Sequence, residues 1–367
     1  MAKIAITLNT SWNIFNFRLG LLRALEKEGF EIYAIAPKDE YSGKIPFKYI
    51  EWKLNQRGQN PISECLSFLS LYKIYKKIKP DIVLHFTIKP NIYGTNAANL
   101  LGIPSINNVS GLGYSFQENS GLLKLLLAKF YLYSLGKSNK VFFQNQFDMD
   151  FFLKIKPNLA PISERINGSG VDIQKFYLIE RKEHNEVIFL MASRLFKEKG
   201  VIEYIEAAKM IRQKYPLSRF LLLGGIYKSR NNPISDEYLC QCTQAGIIEY
   251  LGMKDDVFSF MKQVDCVVLP TYYPEGCPRV LIEAASCGLP IIASNNVGCI
   301  DIVEDGVNGF LCEKRSILSL FDKLEKFINL SREEKEKLGQ NGRKKVLDGF
   351  DEKTIIKKYI ESIQQLL

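Results

Sequence analysis

A chain of 367 residues exceeds what one hydrophobic core usually serves, so two domains are expected. Its composition, 46% hydrophobic and 24% charged with no uninterrupted apolar run long enough for a bilayer, describes a globular chain and excludes a membrane-spanning one. Two histidines and eight scattered cysteines without a C-x-x-C pair exclude a histidine-rich metal site and a zinc ligand set, and the net charge of +9 is lopsided: residues 1–180 hold 22 Lys+Arg against 14 Asp+Glu, the remainder 27 against 26.

The chain opens on KIAITL, a short β-branched strand and not a signal peptide, so export is not expected and the cysteines read as reduced thiols. A helix from about Phe17 to Glu28 ends at Gly29, and EIYAIAP is a second strand stopped by Pro37. LSLYKIYKKIKP reads as an amphipathic helix with a basic face, DIVLHF as the third strand, and NIYGTNAANLLG as a helix closed by Gly102. IPSINNVSG is the fourth strand, LLKLLLAKFYLYSL a long apolar helix, and KVFFQN the fifth strand.

The pattern restarts near residue 187. EVIFLMAS, RFLLLGG, EYLGM, DCVVLP and LPIIAS read as strands, with helices at about Gly200 to Lys214 and over PRVLIEAASCG. Helices at 316–329, 331–347 and 351–366 close the chain. Alternating strands and helices imply βαβ units and parallel sheets. The fold class is therefore α/β, with two Rossmann-like doubly wound domains facing a cleft and joined near INGSGVDIQKFY. They are expected over 1–178 and 179–349, with a terminal helix over 350–367 packing back on the first. Ligands of such sheets bind outside the carboxyl ends of the strands.

Two strand-to-helix loops carry the chemistry. In ASRLFKEKG, Arg194 follows a strand and Lys199 and Gly200 precede a helix, so the two cations either converge on a diphosphate or scatter on a solvated loop. In PEGCPRVLIEA, Pro278 suits the first helical position, Gly276 lets backbone approach a ligand, and the N–H groups of the helix start suit an anion. Glu275 precedes that helix and Glu283 lies inside it, so the two acids flank the anion site and can accept from hydroxyls at either end of a diphosphate ligand. Alternatively, Glu283 pairs with Arg279 at i,i+4 and Glu275 is a helix N-terminal charge.

ASRLFKEKG, PEGCPRVLIEAASCGLPIIAS and GCIDIVEDGVNGFL together resemble the retaining glycosyltransferases of family 4, which have the two-Rossmann-domain GT-B architecture. NFRLGLLRAL, KPNIYG and NNVSGLGYSF resemble a bacterial subgroup acting on undecaprenyl-diphosphate sugars. The resemblance implies that Arg194 and Lys199 contact the donor diphosphate and Glu283 the ribose. It puts Glu275 on the donor sugar, Gly276, Cys277 and Pro278 beside the ring and phosphates, and Leu251, Gly252 and Met253 by the nucleobase. It implies no metal cofactor and no enzyme nucleophile, catalysis resting on charge stabilisation of the leaving diphosphate by Arg194 and Lys199, with Glu275 the catalytic candidate at the donor sugar.

Two departures stand out. The family's glycine-rich first turn is replaced by NTSWNIFNF, where Ser11 and Asn13 are the candidate donors to phosphate. The family's histidine after the fourth strand, near the donor sugar, is replaced by Ser110 in VSGLG, a catalytic candidate whose hydroxyl can still bond the sugar but cannot carry a positive charge. His85, Gly111 and Gly113 are further candidates for contact with the sugar or acceptor, although a histidine at a strand end also suits a structural role.

The expected function is transfer of a hexose or N-acetylhexosamine, N-acetylgalactosamine by preference, from a UDP-sugar to a polyprenyl-diphosphate saccharide in bacterial glycan or surface-polysaccharide synthesis. A nucleotide-sugar epimerase and a non-catalytic nucleotide-sugar-binding assembly partner are the alternatives. Basic residues such as Lys73, Lys76, Lys77, Lys124, Lys129 and Lys137 beside apolar ones suit an anionic membrane surface, so peripheral association with the inner face of the cytoplasmic membrane is expected, and nucleic acid is not.

Overall fold

The computed structural model describes residues 1–55, 60–111, 122–180, 185–227 and 232–367, the side chains of 122–127 excepted. The chain forms two compact units, unit 1 from Met1–Ser169 with Glu352–Leu367, and unit 2 from Gly170–Asp351.

Unit 1 begins β1 (Lys3–Thr7), α1 (Ser11–Phe17), α2 (Leu19–Lys27), β2 (Glu31–Ala36), β3 (Lys48–Glu51) and α3 (Pro61–Ile78). It continues β4 (Ile82–Phe86), α4 (Ile88–Leu100), β5 (Ser105–Val109), α5 (Leu122–Leu135), β6 (Lys140–Phe143), α6 (Gln146–Ile155) and β7 (Ser163–Arg165). Its sheet has the order β3-β2-β1-β4-β5-β6-β7, all parallel, with Ile4 between Ile32 and Ile82. β4 is buried at every position, as a central strand covered on both faces requires.

The helix expected from Phe17 starts earlier and is broken. Thr10 caps α1, its hydroxyl accepting from the Asn13 N–H at 3.0 Å, and Arg18 interrupts before α2. Leu21, Leu22 and Leu25 give α2 its buried stripe, whereas the short SWNIFN stretch, with apolar and polar residues interleaved, is too brief to show a helical period.

Unit 2 runs β8 (Val187–Ala192), α7 (Val201–Lys214), β9 (Ser218–Leu223), α8 (Asp236–Gln244), β10 (Glu249–Tyr250), α9 (Val257–Met261) and β11 (Cys266–Leu269). α10 (Arg279–Ser286), β12 (Ile291–Ser294), α11 (Cys299–Ile302), β13 (Gly309–Cys312), α12 (Ile317–Ile328) and α13 (Arg332–Gly349) complete it. Its parallel sheet has the order β10-β9-β8-β11-β12-β13. The core packs Phe189 against Phe220 and Phe327, with Leu190, Val267 and Ile292 fully buried in the sheet.

The residues just past 169 belong to unit 2, not to the first domain expected to extend to 178. Val171 pairs with Asp351, and the Phe176 carbonyl accepts from Ser286 Oγ at 2.6 Å and from Arg343 Nη1 at 3.0 Å. The last helix, α14 (Glu352–Leu366), packs within unit 1. Its Tyr359 ring lies 4.7 Å from Phe142, and its hydroxyl accepts from Asn108 Nδ2 at 2.9 Å.

Candidate active site

The strand order of unit 2 reverses between β8 and β11. Helices leaving these neighbours to opposite faces open a crevice at the sheet's carboxyl edge. The loops that follow are 193–200 and 270–278, which carry the two motifs. They touch: a Cβ on Gly200, whose φ is 79°, would lie 2.2 Å from the Pro270 carbonyl oxygen, so only glycine fits there. The Glu198 carbonyl accepts from the N–H groups of Tyr272 and Tyr273, both at 2.9 Å, and from Thr271 Oγ1 at 3.1 Å. From the other side, buried Asn296 donates its Nδ2 to the carbonyls of Thr271 at 3.2 Å and Tyr273 at 2.7 Å. The backbone that presents Glu275 is therefore held from two directions.

Within this frame Lys199 Nζ and Glu275 Oε1 form an ion pair, each side chain 11% exposed. Thr271 Oγ1 also lies 3.1 Å from Glu275 Oε1, so its one proton is shared between that carboxylate and the Glu198 carbonyl. The sequence reading gives Lys199 to a diphosphate and Glu275 to a sugar; the structure joins them to each other, since a largely dehydrated ammonium and carboxylate neutralise one another. Arg194 is exposed, its guanidinium 5.5 Å from the Phe196 ring and 5.8 Å from the Tyr227 ring. Phe196 also meets Tyr273 edge-on at 5.5 Å, so one aromatic cluster links the surroundings of both cations.

Leu251, Gly252 and Met253 follow β10. Gly252 accepts from the Gly224 N–H at 2.9 Å, while Leu195, next to Arg194, donates its N–H to Gly225 at 2.9 Å. The segment thus shares the Gly224–Gly225 backbone with the Arg194 loop, and Met253 stands 54% exposed.

Pro278 is the N-cap of α10, with φ −66° and ψ 110°, and not its first helical residue; Arg279 takes that position. Gly276 is buried and Cys277 half-buried just ahead of it. Glu283 accepts from Arg279 Nε at 2.8 Å, which realises the i,i+4 alternative. Burial pushes the Glu283 carboxyl above the usual range, outweighing the opposing pull of Arg279 and Lys175. Glu283, which the sequence reading gives to the ribose, therefore has one oxygen committed to Arg279.

The candidates in unit 1 divide. Ser110 is exposed just beyond β5, followed by Gly111 at φ 123°. Gly113 lies outside the described residues. His85 is not a sugar contact: it is fully buried in β4, Nδ1 2.7 Å from Asn107 Oδ1 and Nε2 3.0 Å from Tyr75 Oη, and burial pushes it down to about 4. Ser11 is likewise committed, its buried hydroxyl donating to Asp39, whose carboxylate disfavours a phosphate beside it. Asn13 gives its amide to Asn9 Oδ1 at 2.8 Å. These side chains stabilise the first turn themselves, where the sequence reading had them bind phosphate.

Thr271 and Asn296 escaped the sequence reading because polar residues in loops carry no spacing signature. Among the described residues no cluster of three His, Cys, Asp or Glu could hold a metal ion. Among the same residues no helix is long and apolar enough to cross a membrane.

Comparison with known proteins matches residues 173–345 to the family described as glycosyl transferases group 1, and residues 3–145 to glycosyl transferase 4-like. The chain is 28% identical to the N,N'-diacetylbacillosaminyl-diphospho-undecaprenol alpha-1,3-N-acetylgalactosaminyltransferase of Campylobacter jejuni, covering 100% of this chain and 99% of that protein. It is also 28% identical to the UDP-Gal:alpha-D-GlcNAc-diphosphoundecaprenol alpha-1,3-galactosyltransferase of Escherichia coli, covering 84% and 81%. Its fold resembles that of HepE from Anabaena in complex with UDP and glucose, with a TM-score of 0.79 at 18% identity and full coverage of both chains. Sucrose-phosphate synthase from Thermosynechococcus elongatus gives a TM-score of 0.80 at 18% identity, covering 100% and 99%. With two parallel doubly wound sheets and family matches across both units, the chain belongs to the group 1, family-4-like glycosyltransferases of GT-B fold.

Proposed function

We propose that this glycosyltransferase moves an N-acetylhexosamine or hexose, N-acetylgalactosamine by preference, from a UDP-sugar to a polyprenyl-diphosphate saccharide with retention at the anomeric carbon. The observation that carries the reading is the charge arrangement at the switch point of unit 2, with Lys199, Arg194 and the start of α10 on the same sheet edge as Glu275. The lipid-linked acceptor rests on the names of the two curated relatives, both of which act on diphospho-undecaprenol saccharides.

In this reading Arg194 and Lys199 bind the donor diphosphate, Lys199 leaving Glu275 as the phosphates enter. Glu275 then accepts from the donor sugar's hydroxyls, and backbone at Gly276, Cys277 and Pro278 lies against the ring and phosphates. Glu283 keeps Arg279 and takes the ribose hydroxyls on its second oxygen. Leu251, Gly252 and Met253 cover the base, and Ser110 with Gly111 serves the saccharide from unit 1.

The acceptor hydroxyl oxygen bonds to C1 on the face from which UDP departs. The C1–O bond to the diphosphate breaks, and the departing phosphate oxygen takes the hydroxyl proton. Two cations and a helix start stabilise the charge that develops there, so the reaction needs no divalent ion. It proceeds at the anionic inner face of a membrane, to which the enzyme binds peripherally.

The test incubates purified protein with UDP-N-acetylgalactosamine and an undecaprenyl-diphosphate saccharide, with and without EDTA. An α-linked product and UDP release, equal in both, are expected. Release that stops in EDTA removes the metal-free part of the reading, and no transfer from any nucleotide sugar removes the whole.

A further inference from the structure

We propose that the outward face of α3 is the element that docks unit 1 on an anionic lipid bilayer, with Ile62, Leu66 and Leu69 entering the interface and Lys73, Lys76 and Lys77 resting on the headgroups. This deepens the membrane part of the proposed function.

α3 is 18 residues long, started by Asn60, whose side chain accepts from the Ile62 N–H at 2.9 Å, and by Pro61 in the first turn. Its inner face buries Ser67, Leu71, Tyr75 and Ile78. Its outer face recurs at three- and four-residue steps. Ile62 is 72% exposed, Leu66 62% and Leu69 42%, and Lys73, Lys76 and Lys77 are exposed along the same line. Large aliphatic side chains this open on consecutive turns are not explained by packing within unit 1, because their helix already buries its other face.

Charge selects the occupant. No carboxylate stands among the exposed residues of α3; its one acid, Glu64, turns inward to an ion pair with Lys89 at 2.8 Å and accepts from the Tyr93 hydroxyl. An apolar stripe continued by lysines with no acid among them matches an anionic interface and repels a basic protein surface. Topology gives the orientation. α3 is the crossover between the parallel strands β3 and β4 and runs back against them, so Ile62 and Leu66 lie toward the sheet edge at which Ser110 follows β5. A lipid-borne saccharide and the apolar stripe thus meet unit 1 at the same edge.

The test measures co-sedimentation of the full chain with vesicles of phosphatidylcholine alone and of phosphatidylcholine mixed with phosphatidylglycerol, without acceptor or nucleotide sugar. The wild type is expected to bind the anionic vesicles and not the neutral ones. The Ile62→Gln, Leu66→Gln, Leu69→Gln variant is expected to bind them at least about tenfold less. Neutralising Lys73, Lys76 and Lys77 to Gln is expected to cost about fivefold per lysine at low salt. Leu318→Gln, which changes a leucine of unit 2 that is 66% exposed, is the control and should bind as wild type.

All these positions are on the surface, so the variants should fold, and an unchanged circular dichroism spectrum and melting curve of the full chain confirm it. Equal vesicle binding by wild type and the α3 variants overturns the proposal, as does a wild type that binds no anionic vesicle. If sedimentation shows self-association that the apolar variant abolishes while vesicle binding is unchanged, the face is an interface between copies and the proposal falls. Because no substrate is present, failure here leaves the transferase reading untouched, and failure of transfer leaves this result untouched.

Discussion

In the function proposed, Lys199 and Glu275 serve two states, paired with each other before the donor binds and apart after it. Each side chain is only 11% exposed, and removing one partner leaves a nearly buried charge on the other. Lys199→Met should therefore lower kcat by about 100-fold or more, as expected for a lost leaving-group contact, when UDP release is followed at saturating donor. A melting curve distinguishes this from unfolding, and an unchanged kcat in the folded variant removes Lys199 from the diphosphate site. The sequence exposed both residues through their motifs, but it did not reveal that they face each other, because a pair separated by 76 positions is invisible to local spacing. Glu283 is the opposite case: its partner lies four residues away, and the i,i+4 geometry was legible.

At the scale of elements, the loop after β11 depends on a residue from the loop after β12. Asn296 fixes the carbonyls of Thr271 and Tyr273, and both lose their donor in Asn296→Ala. That variant should lose about 1–3 kcal/mol of stability in chemical denaturation and also bind UDP more weakly. Ser331→Ala, which removes the capping box of α13 formed with Glu334, should cost about 1 kcal/mol and leave UDP affinity unchanged. Equal effects of the two on UDP would show that Asn296 is ordinary scaffolding. Long helices and buried strands were readable from periodicity, as in α7, α12 and β8. The edge strands β3, β7 and β13 have 4, 3 and 4 residues, too short to show a period, and were not read from the sequence, and β10, of 2 residues, was read only within the longer run EYLGM.

For the whole molecule, the buried histidine of unit 1 ties stability to pH. Unfolded, a histidine takes its proton near pH 6.5. Folded, His85 holds out to about 4, because burial among Tyr75, Asn107 and Thr95 penalises the charged ring. The depressed value means its contribution is complete above about pH 6.5 and is lost as the pH falls toward 4, by up to about 3 kcal/mol. Denaturation midpoints measured across that range should fall more steeply for the wild type than for His85→Gln. Equal slopes would show that His85 titrates as an exposed histidine.

The alternation of the longer strands and helices, the α/β class and the two motif loops of unit 2 followed from the sequence alone, because apolar periodicity and the Pro and Gly positions act over a few residues. What each polar side chain does was decided by the tertiary structure. His85 falls to a buried partner, Ser11 to half-buried Asp39, Lys199 to Glu275, and the residues just past 169 to unit 2. The outward stripe of α3 is the clearest instance, since Ile62, Leu66 and Leu69 are as apolar as any core residue. Only the packing of the opposite face of that helix shows that they remain on the surface, because burial is settled by contacts distant in sequence.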